Sequence, residues 1–157
     1  MNAVKFLNDL DEFYNKEIKI DEEKAYEIPY TTMNVGTMHG GSAKNSVPAY
    51  CEISIDFRIA NKKHIEKITK KVDELSKKYK AEVNIIELIE PFIDNIDFID
   101  DVKTANFMTE ASMISGAKRM ILGTGPVTAH EVNEHISTKS YDKLVQQYEE
   151  LIYKICK

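Results

Sequence analysis

An α+β fold is predicted for this chain, and three observations carry the prediction. Residues 51–59 alternate strictly, with Cys51, Ile53, Ile55, Phe57 and Ile59 on one side and Glu52, Ser54, Asp56 and Arg58 on the other. That two-residue period belongs to a strand with one packed face. Residues 62–80 carry Ile65, Ile68, Val72, Leu75 and Tyr79 at spacings of three and four, so the many lysines there form the solvated face of an amphipathic helix rather than an anion-binding patch. Finally, the elements around these two run helix, strand, strand, helix, strand. One further strand in front would complete a split βαβ sandwich, the ferredoxin-like βαββαβ order; that first strand is missing.

Taken in order, residues 3–16 place Val4, Leu7, Leu10 and Phe13 at helical spacing, a helix with no visible cap. Pro29 introduces a β-branched and aromatic strand over 30–38, and Gly36, Gly40, Gly41 and Pro48 bracket an irregular connection to the strand at 51–59. The lysine helix leads to a strand at 82–89. Pro91 and the acidic stretch 94–101 then mark a boundary, giving units 1–90 and 91–157. The aspartates of that stretch lack the glycine and terminal glutamate of a calcium loop. Asp100 and Asp101 instead suit the start of a helix to about Ile114, ended by Gly116. A short buried strand is expected at 118–122. Ser140 is expected to cap a last helix with the apolar stripe Tyr141, Leu144, Val145, Tyr148, Leu151, Ile152 and Ile155. A helix, strand, helix unit has one strand, which forms no sheet by itself.

The chain has 157 residues, a net charge of -5 and a pI near 5.4. Its length can bury a core, and its charge argues against a nucleic-acid footprint. No apolar run approaches a membrane span and the N-terminus lacks a signal peptide's regions, so no membrane partner and a cytoplasmic location are expected. Two cysteines make no disulfide framework; Cys51 is expected to be a small core residue.

Chemistry concentrates in two places. Residues 124–135, TGPVTAHEVNEH, put His130 and His135 in a proline-containing loop. His130 and Glu131 begin like a helical H-E-x-x-H zinc motif, but His135 comes five residues on, about 500° around a helix, so the rings would stand roughly 140° apart. A metal on His130 needs ligands from elsewhere; the alternative is two solvated loop histidines. Arg58 is one of only two arginines in a lysine-rich chain, and its planar fork holds a carboxylate bidentately where an ammonium cannot. The alternative is an ordinary pairing with Asp56 or Glu52 on the same face. The run Gly40 to Ser46 lacks P-loop spacing; its glycines suit a tight turn, or the approach of backbone amides and Asn45 to a ligand.

Together these motifs resemble a known family. Asn34-x-Gly36-x-x-x-Gly40-Gly41-x-Ala43-x-Asn45-x-Val47-Pro48, then Asp56-Phe57-Arg58, is similar to the lid domain of the dinuclear zinc aminoacylases. That family includes acetylornithine deacetylase, succinyl-diaminopimelate desuccinylase and related dipeptidases. Thr109-Glu110-Ala111, Leu122-Gly123-Thr124-Gly125-Pro126 and Ala129-His130-Glu131 resemble the end of its catalytic domain. The resemblance implies a lid and dimerisation domain over residues 1–90 and a C-terminal part of a zinc hydrolase catalytic domain over 91–157. It implies His130 as a zinc ligand, Arg58 as the lid arginine on the substrate carboxylate, and Asn45, Thr109, Glu110 and Gly123 as substrate-side positions. It further implies a homodimer through the lid, N-acyl amino acids or small peptides as substrates, and two zinc ions in the intact enzyme. The family's early half, with the general base and the other metal ligands, has no counterpart here, so the chain alone is expected to be inactive and not to hold zinc stably. Three readings follow: a portion of a zinc-dependent deacylase, a non-catalytic dimerisation or carboxylate-binding module, and one half of a split enzyme.

Overall fold

The structure, a computed structural model, describes residues 2–96, 104–105, 107–124, 128 and 131–156. The chain divides into two compact units, Met1–Lys118 and Arg119–Lys157.

In the first unit, helix α1 (Asn2–Phe13) runs into a widened turn, Tyr14–Ile18, where the Lys19 N–H donates to the Tyr14 carbonyl at 2.9 Å. The extra residue in that turn shifts the helical phase. Phe13, Tyr14 and Ile18 are thereby all buried with Phe6 and Leu10. The expected stripe is corrected at its start: Val4 is exposed and Phe6 stands in the core, since Phe6, Leu10 and Phe13 at steps of four and three share one face that Val4 does not.

Strands β1 (Thr32–Gly40) and β2 (Cys51–Arg58) form an antiparallel two-stranded sheet. Met33 faces Phe57, Val35 faces Ile55 and Met38 faces Ile53, whereas Thr32 faces Arg58, Asn34 faces Asp56, Thr37 faces Ser54 and His39 faces Glu52. Directly opposed residues share a face of the sheet, so one face is apolar and the other polar throughout. A bulge between Val35 and Thr37 makes this possible by giving β1 one extra residue, Gly36. Met33, Ile55, Phe57 and Ile59 pack against the helical core.

Helix α2 (Lys63–Tyr79) buries His64, Ile68 and Leu75, with Val72 and Tyr79 partly buried beside them. Phe6 and Tyr79 meet edge to face at 6.4 Å between centroids. Asp9 on α1 accepts from Lys78 Nζ at 2.7 Å and from the Tyr79 hydroxyl at 2.6 Å. The helix closes on Lys80 in the left-handed conformation, φ 56° and ψ 45°, a place where glycine is the usual occupant.

Four expectations are corrected. The segment 82–89 joins no ladder, and Val83, Ile85, Ile86 and Leu88 are exposed. A strand is defined by its partner's hydrogen bonds, and among the described residues this segment has no neighbouring strand; the sheet therefore holds two strands, and the ferredoxin-like order is not assembled. The helix expected up to Ile114 is a single 3-10 turn, Glu110–Met113. Asp100 and Asp101 lie outside the described residues, while Thr104, Ala105 and residues 107–109 are not helical. Thr109 starts the turn late, from extended backbone, with its side chain accepting the Ala111 N–H. Residues 118–122 form no strand, again for want of a pairing partner among the described residues, and Ile121 is exposed. Cys51 is exposed rather than buried, at the open end of β2 against Gly40.

The second unit holds helix α3 (Thr138–Ile155), capped by Ser137 rather than Ser140: Ser137 Oγ accepts the Ser140 N–H at 3.0 Å. Leu144 and Leu151 are half-buried, whereas Tyr141, Val145, Tyr148, Ile152 and Ile155 are exposed. No described helix is long and apolar enough to cross a membrane.

Candidate functional site

Arg58 closes β2 on its polar face, because the alternation that sends Phe57 into the core turns its neighbours outward. Its Nε donates to Asp56 Oδ2 at 2.7 Å, with both side chains about half exposed. The pairing weighed from sequence is thus present, and at that exposure it is worth at most about 1 kcal/mol. The pair engages Nε; among the described residues no other group occupies the two terminal nitrogens of the fork.

Asn45 is exposed in the connection between the strands. That connection begins where Gly40 passes so close to the other strand that a Cβ would stand 2.7 Å from the Tyr50 carbonyl oxygen. Gly41 follows at φ +82°, and the Ser46 N–H and hydroxyl both donate to the Ala43 carbonyl. Asn45 and Arg58 therefore sit at opposite ends of the hairpin. The eight residues of β2, at about 3.4 Å each, separate the ends by roughly 25 Å.

Thr109 is used structurally: its Oγ1 accepts the Ala111 N–H at 3.1 Å and its carbonyl accepts the Ser112 hydroxyl at 2.7 Å. Glu110 follows it, exposed. In the second unit Gly123 is exposed, and a Cβ there would meet nothing within 4 Å.

His130 lies outside the described residues. Around it, Thr128 Oγ1 donates to the His135 carbonyl at 3.0 Å and accepts the His135 N–H at 3.1 Å. The His135 ring places Nδ1 2.6 Å from the Asn133 carbonyl. A carbonyl can only accept, so Nδ1 carries a proton. Among the described residues no three His, Cys, Asp or Glu side chains come together as a metal site. The residues described thus do not fit a zinc centre, which needs three or four such ligands.

A buried polar relay was not anticipated. His64 and Thr31 are both fully buried. His64 Nδ1 lies 2.8 Å from Thr31 Oγ1, and its Nε2 lies 3.1 Å from Asp21 Oδ2. Thr31 Oγ1 also accepts the Ala60 N–H at 3.0 Å. The His64 hydrogen bond holds the Asp21 carboxyl below its ordinary range, helped by the charges of Lys67 and Lys63 and opposed by burial. A signal for this existed: His64 stands one turn before Ile68 on the apolar stripe of the lysine helix, where a polar residue needs partners.

Comparison with known proteins matches residues 1–84 to a family model described as a peptidase dimerisation domain, of the M20 peptidases. The chain is 26% identical to an acetylornithine deacetylase from Aliivibrio fischeri, over 99% of this chain and 47% of the relative. It is 27% identical to one from Pectobacterium carotovorum, over 95% and 42% respectively. A third, from Myxococcus xanthus, is 23% identical over 85% and 40%. The chain spans about half the length of the curated relatives it matches. No solved structure matches it.

Proposed function

Because this chain belongs to the M20 peptidase dimerisation domain family, we propose that it is the lid and dimerisation portion of an amidohydrolase that removes acyl groups from N-acylated amino acids. Arg58 carries the reading. It is an arginine in a lysine-rich chain, it stands on the polar face of a strand fixed by core packing, and its terminal fork faces outward with only Nε engaged. Such a fork grips a substrate carboxylate bidentately and orients the acylated nitrogen beyond it. Similarity to acetylornithine deacetylases over nearly the whole chain supports an N-acyl amino acid as the ligand class. A second copy of the chain is the expected partner, as the family's description suggests. Residues 91–157, with Thr109, Glu110, Gly123 and His130, are assigned to the catalytic side of the whole enzyme. No catalytic step is assigned to this chain, because among the described residues no three His, Cys, Asp or Glu side chains come together to hold a metal ion.

Calorimetric titration with N-acetyl-L-ornithine tests the reading. Arg58→Lys should weaken binding by roughly 1–3 kcal/mol, the cost of losing a charged bidentate contact. Unchanged affinity removes Arg58 from the site. The purified chain with zinc should not hydrolyse the ligand, and turnover would show that the catalytic groups have been misplaced.

A further inference from the structure

A neutral imidazole can donate at one ring nitrogen and accept at the other, and His64 is placed to do both. The Asp21 carboxylate only accepts, so Nε2 carries the proton, and Nδ1 is left to take the Thr31 hydroxyl hydrogen at 2.8 Å. The Thr31 oxygen keeps a lone pair for the Ala60 N–H at 3.0 Å. No buried side-chain nitrogen or oxygen among the described residues is left unpaired, so the relay is fully satisfied, which is the condition under which a buried network stiffens its surroundings. Its position gives it a use. The last rung of the sheet is Thr32 opposite Arg58, and the Ala60 N–H, two residues beyond Arg58, is taken by a side chain instead of a strand.

We propose that His64 is a positioning residue for Arg58: through Thr31 and Ala60 it fastens the end of β2 from which the guanidinium projects, tying it to α2 and to the Asp21 segment. The role rests on reading Arg58 as the carboxylate-gripping residue. It involves no contact between His64 and any ligand. Without the relay the strand end frays past the last rung, and the fork loses its fixed direction.

The test needs no ligand. In proton–nitrogen NMR of the whole chain, Thr31→Val should speed exchange of the Ala60 amide by about tenfold and displace the Arg58 Nε–H resonance. Thr31→Ser, which restores the hydroxyl, should return both to their wild-type values. Asp21→Ala, at a half-exposed side chain where folding is not at risk, should displace the Arg58 resonance in the same direction. An Arg58 resonance unmoved in Thr31→Val and Asp21→Ala overturns the proposal whatever Ala60 does, since a purely structural relay would alter Ala60 alone. Failure of the carboxylate reading shows separately, as N-acetyl-L-ornithine binding that ignores Arg58→Lys while the NMR signature stands.

Discussion

Adding one methyl group at Gly40 should loosen the base of the loop that carries Asn45, and the structure says by how much. A Cβ built there stands 2.7 Å from the Tyr50 carbonyl oxygen, 3.0 Å from Cys51 Cα and 3.2 Å from Cys51 Cβ. The first two contacts are with backbone, so no side-chain rotation relieves them and the two chains must separate. Overpacking of that kind costs about 1–3 kcal/mol. At roughly 3 °C per kcal/mol for a chain of this size, Gly40→Ala should lower the melting temperature by about 3–9 °C. Gly36→Ala is the control. Its Cβ would meet only ordinary contacts at 3.7 and 3.9 Å, and removing a strand-interior glycine is worth roughly 0.5–1 kcal/mol in the stabilising direction. The assay is thermal melting of the two variants beside wild type. Equal midpoints for the two, or a larger loss at Gly36, would refute the argument that close backbone approach shapes this hairpin.

Other expectations follow from the same packing. Leu10→Ala removes a fully buried side chain at the centre of the core and should cost about 2–5 kcal/mol in urea denaturation. Lys80→Gly relieves a left-handed helix end and should gain about 1 kcal/mol in the same assay. Asp9, held below its ordinary range by hydrogen bonds from Lys78 and Tyr79, and Asp21, held down by His64, bind fewer protons folded than unfolded. Their stabilisation is therefore complete above about pH 4, where unfolded carboxylates are ionised, and is lost as pH falls through the lower folded values. Melting temperature recorded from pH 6 down to pH 2.5 should fall less steeply in Asp9→Asn with Asp21→Asn than in wild type.

What the sequence disclosed depended on whether the information was local. The alternation of β2 and the stripe of α2 are properties of a single segment, and both formed nearly where expected. Residues 82–89 and 118–122 have strand-like composition, but pairing is decided by a neighbour, and none is present among the described residues. The start of the α1 stripe was misplaced because repeated steps of three drift by about 60° each around a helix of about 3.6 residues per turn, whereas Phe6, Leu10 and Phe13, at steps of four and three, stay on one face. At the site, Arg58 was legible as a rare arginine on a polar face, and its bond to Asp56 was weighed beside it. The distance between Asn45 and Arg58 was not legible, since motif order says nothing of which end of a hairpin each occupies. Nor was the link from His64 to Thr31 and Asp21, which joins residues far apart in the chain.

Gly36 divides β1 into two stretches that obey different parity. Before it, even-numbered residues such as Asn34 share the polar face; after it, odd-numbered residues such as Thr37 and His39 do. Losing this residue would leave the faces as they are: Thr37 would follow Val35 directly, as Ser54 precedes Ile55 on β2, and the alternation would run unbroken. A change of length is therefore accommodated at this one position, whereas loss of a paired residue such as Asn34 would set an apolar neighbour opposite Asp56. A library of single-residue deletions across β1, scored for folding, should show its greatest tolerance here, at a glycine whose own substitution is also nearly free.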